Sequence, residues 1–136
     1  MIRAACLLAP LVLALPLPAA ASDRTLRADA RQLSAATHKI DVEGVDSVLR
    51  FRETARAIRD RADADRGTTA NGRLGRTALV RAAGAYVRFS DALVIVIESA
   101  APGGSANDLA RAKDQFRRFG AVAQQSLAEA KRLLHA

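Results

Sequence analysis

The chain has 136 residues, a net charge of +7 at pH 7, one cysteine and no tryptophan, and half of its residues are apolar. That length suits one domain around one core. A lone cysteine, Cys6, excludes an intramolecular disulfide framework, a thiolate metal cluster and haem attachment through C-x-x-C-H.

The first stretch, MIRAACLLAPLVLALPLPAAASD, carries one positive charge at Arg3, then an uncharged apolar run, then the small residues Ala19, Ala20 and Ala21. A signal peptidase reads such small residues, so residues 1–21 are expected to be a signal peptide cut after Ala21. An uncleaved anchor is the rival, because Ala4 to Ala21 approaches the minimum length of a membrane span. Pro10, Pro16 and Pro18 oppose it, since each removes a backbone donor that lipid cannot replace. Cys6 lies too near the start for a lipoprotein leader. Residues 22–136 are then a single helical-bundle domain, periplasmic or secreted, without cysteine or methionine.

From Ala30 the positions Leu33, Thr37, Ile40, Gly44, Val48, Phe51, Ala55, Ile58 and Ala62 keep helical spacing. This predicts one long first helix from about Asp23 to about Arg66. THKIDVEGVDS, Thr37 to Ser47, opposes it by gathering poor helix formers around Gly44. The expectation is a kink or fray there; a full break gives four helices. GTTANG, Gly67 to Gly72, reads as the connecting loop, with turn chemistry at Asn71-Gly72.

The next segment contains four consecutive β-branched residues, Val94 to Ile97. Leu79, Ala82, Tyr86, Phe89, Leu93 and Val96 mark one helix face, and Val80, Ala83, Val87, Ser90, Val94 and Ile97 an adjoining one. A helix apolar on two faces is covered on both sides, so residues 77–101 are expected to be a central buried helix. Only a narrow outer stripe remains: Arg81, Gly84, Arg88, Asp91, Ile95 and Glu98. Those charges exclude a membrane span. A strand would have only KIDVEGV, residues 39–45, as its partner, and two short strands are marginal in water. APGGS ends the helix, and Ser105 with Asp108 reads as the start of the next. Leu109, Ala112, Phe116, Phe119, Ala123, Leu127, Ala130 and Leu134 form its inner face, with Gly120 marking a close approach of a neighbour. The expected fold is all-α: an antiparallel three-helix bundle with a long first helix, or a four-helix bundle if that helix breaks near Gly44.

No catalytic motif emerges, and the chain is read as a non-enzyme. Gly72, Gly75 and Gly84 match neither a phosphate loop nor G-x-G-x-x-G, and H-E-x-x-H is absent. Ser90, on an apolar face, is expected to bond its own backbone. DRADADRG, Asp60 to Gly67, lacks the later glutamate of a calcium loop and interleaves its acids with arginine, so a salt-bridged helix end is expected. In size and layout the chain is similar to exported haem-binding four-helix bundles, but His38 and His135 are its only histidines. In an unbroken first helix they stand about 42 Å apart at the helical rise, so no cofactor is expected.

The charge is concentrated. Residues 50 to 90 carry ten arginines against Glu53, Asp60, Asp63 and Asp65. Arg52, Arg56 and Arg59 share a flank by their spacing, and Arg66, Arg73 and Arg76 surround the following loop. These six are the candidate partner-binding residues, since guanidinium forks suit carboxylates and phosphates. The expected function is an exported, non-catalytic accessory protein that docks an acidic protein or another anionic envelope component, the membrane surface included. Nucleic acid is set aside on location. A small-ligand or haem carrier is the alternative, and Ile95 is a candidate contact for self-association.

Overall fold

A computed structural model describes residues 19–42 and 44–136. The expected leader lies outside them except for the first turn of the first helix. Four helices follow in order: α1 Ala19–Thr37, α2 Val45–Ala64, α3 Ala70–Ala100 and α4 Ala106–Leu134. The fold is all-α, an up-down bundle of four helices, with no strand among the described residues. No described helix is long and apolar enough to cross a membrane.

The preferred three-helix layout is corrected here: the first segment breaks completely before Val45. Its apolar register survives on both sides, with Ala30, Leu33, Val48, Phe51, Ala55, Ile58 and Ala62 all buried. The intervening Thr37, Ile40 and Gly44 are only half-buried, so their matching phase reflects two separate helix faces. The turn is closed locally. Lys39 N–H donates to the Ala36 carbonyl, Gly44 N–H to that of Asp41, and Asp41 N–H to Ser47 Oγ at 3.0 Å. Such side-chain and turn bonds compete directly with helix continuation.

Helix α3 starts earlier than expected, and the loop before it is correspondingly shorter. Thr69 is its N-cap, its Oγ1 accepting Gly72 N–H at 2.9 Å, so Asn71 and Gly72 lie in the first helical turn. Ser105 caps α4 by accepting Asp108 N–H at 3.3 Å, as the sequence suggests.

The core joins Leu26 and Leu33 of α1, Phe51 and Ile58 of α2, Leu79 and Tyr86 of α3, and Leu127 and Leu134 of α4 through many alanines. Alanine-rich faces let the axes approach closely. Helix α3 is the central element: it packs on all three others, most extensively on α4, whereas no Cα of α2 lies within 8 Å of one in α4. Its two covered faces hold from Ala78 to Leu93. Beyond that the cover thins, with Val94, Val96 and Ile97 half-buried and Ile95 41% exposed. Helix α1 is short, so the far end of the α3–α4 hairpin extends past it.

An aromatic row crosses the bundle at that boundary. Phe51 meets Tyr86 edge-on with centroids 5.4 Å apart, Tyr86 meets Phe89 edge-on at 6.1 Å, and Phe89 stacks on Phe116 at 4.6 Å. Phe89 also lies over Gly120, where an added Cβ would sit 3.4 Å from the ring, at ordinary van der Waals contact.

Candidate functional site

The six arginines do not form one free cationic pole. Arg52, Arg56 and Arg59 share α2, as their spacing implies, but each has a local acid. Arg52 reaches Asp91 at 3.1 Å and Glu53 at 3.4 Å, Arg56 reaches Glu53 at 3.2 Å, and Arg59 reaches Asp60 at 2.9 Å. Arg76 acts as a clamp on the end of α2, donating to the carbonyls of Ala62 at 3.0 Å and Asp63 at 2.6 Å and to the Asp63 carboxylate at 3.0 Å. Those carbonyls are left open by the helix end, so the guanidinium satisfies them. Arg73 donates to the Thr68 carbonyl at 2.9 Å, and Arg66 is exposed in the loop.

The acids of DRADADRG also diverge. Asp60 holds Arg59, Asp63 holds Arg76, and Asp65 accepts the Ser22 hydroxyl and the Gly67 N–H. Among the described residues no group of three His, Cys, Asp or Glu side chains is placed to hold a metal ion. The helix break shortens the expected separation of the histidines without uniting them. His38 follows the end of α1, whereas His135 caps α4 beside Asp23 and Arg27 at the start of α1. Ser90 Oγ donates to the Tyr86 carbonyl at 2.9 Å, so this hydroxyl is spent on its own helix.

The more distinctive surface lies along the outer stripe of α3. Because α2 and α4 flank α3 with their backbones apart, that stripe becomes the floor of an open groove of about 730 Å³. Arg59 of α2 stands on one side, Phe119 and Val122 of α4 on the other, and Arg81, Gly84 and Arg88 form the floor. Gly84 contributes no side chain, and the nearest atom to its missing Cβ is Arg59 Cδ at 3.8 Å. Arg88 lies over the Phe119 ring at 5.6 Å, a cation–π contact that leaves its charge at the groove surface. Val122 is 43% exposed. Arg81 and Arg88 have no carboxylate partner among the described residues.

Nearer the α3–α4 turn, Ile95, Glu98, Asp108 and Arg111 line a second open cleft of about 400 Å³. The stripe therefore changes sign along its length, from Arg81 and Arg88 to Glu98. Sequence reasoning placed these residues on one stripe but missed that α2 would bring Arg59 beside it. The signal was the shared helical phase of Arg81, Gly84 and Arg88, which becomes a site only once the flanking helices are placed.

At the opposite end, Asp23 ties α1 to the start of α3. Its carboxylate accepts Thr68 N–H at 2.8 Å, Thr69 N–H at 3.2 Å and the Thr69 hydroxyl at 2.6 Å. Burial works to raise its pKa, but these bonds and the nearby Arg27 charge outweigh it and hold the carboxyl below the usual range. Tyr86 moves the other way, its phenol pushed up by burial. Comparison of the chain with protein-family models, with curated proteins and with solved structures finds no match in any of the three.

Proposed function

We propose that the protein is an exported, non-catalytic binding module that docks an acidic envelope protein along the basic half of the α3 groove. The observation that carries this reading is the juxtaposition of three guanidiniums, Arg59, Arg81 and Arg88, with the apolar wall of Phe119 and Val122 over a floor opened by Gly84. Two of those cations lack an internal acid, so a carboxylate from outside gains a fork-shaped donor without displacing an existing pair. The apolar wall supplies the contact area that charge alone does not. Export rests on the leader-like residues 1–21. The carrier alternative has less support: the larger clefts along α3, of about 730 and 400 Å³, are open, and those beside Ile40 measure about 240 and 150 Å³, below the roughly 300–1,000 Å³ of sites that enclose a drug-sized ligand.

The test is site-specific photocrosslinking in the native envelope. A crosslinker at Val122 is expected to capture an acidic protein, and one at Val42, exposed in the turn between α1 and α2, is not. Reversing Arg59, Arg81 and Arg88 to glutamate removes the adduct, as does high salt. Equal capture at Val42 and Val122, or an adduct indifferent to charge reversal, overturns the reading.

A further inference from the structure

We infer that the same stripe makes this chain a partner for a second copy of itself, in an antiparallel dimer across α3. Along the floor of the groove the order is Arg81, Gly84, Arg88, Asp91, Ile95, Glu98, so the basic end and the acidic end of one helix face lie about 26 Å apart at the helical rise. A two-fold axis beside Asp91 places Glu98 of one copy opposite Gly84 of the other, between Arg81 and Arg88. Gly84 has no side chain to obstruct it, and nothing closer than Arg59 Cδ at 3.8 Å fills that space. The same axis brings Ile95, 41% exposed, to the level of the partner copy's Phe119 and Val122. Ile95 of one copy thus meets exposed apolar groups of the other, and Glu98 meets Arg81 and Arg88.

Asp91 does not oppose the arrangement, because Arg52 of its own chain neutralises it at 3.1 Å. Glu98, Arg81 and Arg88 have no ion-pair partner within the chain among the described residues, so forming the dimer breaks no existing salt bridge. A contact that pairs the same patch with itself closes at two copies. The dimer occupies the groove assigned above to an acidic partner, so the two states exclude each other. It requires Glu98, which partner docking does not, and it stands or falls separately.

Sedimentation equilibrium of the purified protein over micromolar to millimolar concentrations tests it, with circular dichroism confirming that each variant is folded. The expected result is a monomer–dimer equilibrium weakened by salt. Glu98→Arg and Arg88→Glu each raise the dissociation constant at least tenfold, and the swap Arg81→Glu, Arg88→Glu, Glu98→Arg restores association. A monomer throughout the range, or a dimer unaffected by either single reversal, overturns the proposal. Glu98→Arg leaves the envelope crosslink at Val122 in place, so loss of the dimer and loss of partner docking are read independently.

Discussion

Asp23 shows how one side chain sets a helix start from a distance. Thr69 caps α3 in the ordinary way, and Asp23 orients Thr69 by accepting both its hydroxyl and its N–H. The first N–H groups of a helix lack internal partners and carry its positive end, so a carboxylate there is doubly favoured. Gly72 leaves the space for it, since any Cβ at that position would overlap the Asp23 carboxylate. Asp23→Ala is expected to cost about 1–2 kcal/mol, the range of a lost helix cap, measured by urea denaturation. The pH dependence follows from the lowered pKa. The stabilisation is fully present above the unfolded value of about 4 and is lost as pH falls through the lower folded value. Melting temperatures of the native protein and Asp23→Asn should therefore converge below about pH 4. Separate, parallel curves would show that the carboxylate charge contributes nothing.

At the scale of the helices, glycine separates two kinds of close approach. An added Cβ at Gly75 would lie 2.6 Å from Leu134 Cγ and 2.7 Å from its Cδ2, so α3 and α4 meet there through a missing side chain. At Gly120 the nearest atom is Phe89 Cδ2 at 3.4 Å, which a methyl group tolerates. Gly75→Ala is expected to destabilise by about 1–3 kcal/mol through overpacking. Gly120→Ala is expected to stabilise by up to about 1 kcal/mol, because alanine is the better helix former and the ring need not move. Opposite signs in the same denaturation series check the pair; a loss at both sites would mean that Phe89 cannot yield. The sequence exposed the anomaly at Gly120 but not its size, which depends on where the Phe89 ring lies. It offered no warning at all for Gly75, whose partner is the last residue of α4.

Across the whole molecule, cover is uneven. The span of α3 from Ala78 to Leu93 is enclosed by neighbours, whereas its last turns and the first turns of α4 flank the exposed turn from Ala101 to Ser105. Amide hydrogen exchange should be slowest from Leu79 to Ser90 and markedly faster from Ile95 to Ala100 and from Ala106 to Ala110. In the dimer the Ile95 region gains protection with rising concentration, while the Asp23 end does not. The same thin cover exposes Ile95, the apolar residue that the dimer adds to the groove.

The all-α class, the buried face of α2, most of the α3 face up to Leu93, the Ser105 start and the unusual place of Gly120 were legible in the residues alone, because helical periodicity and capping act within a few positions of the chain. The break before Val45 was visible only as a conflict between register and composition, and the local hydrogen bonds of the turn decided it. Charge behaved differently. A count of arginines locates positive residues along the chain, but whether each meets a carboxylate, a helix-end carbonyl or open solvent depends on residues tens of positions away. Packing α2 and α4 on either side of α3 committed Arg52 and Arg76 to internal partners and left Arg81 and Arg88 at the surface. Through-space pairing selected the groove, and no spacing rule along a single helix contains that information.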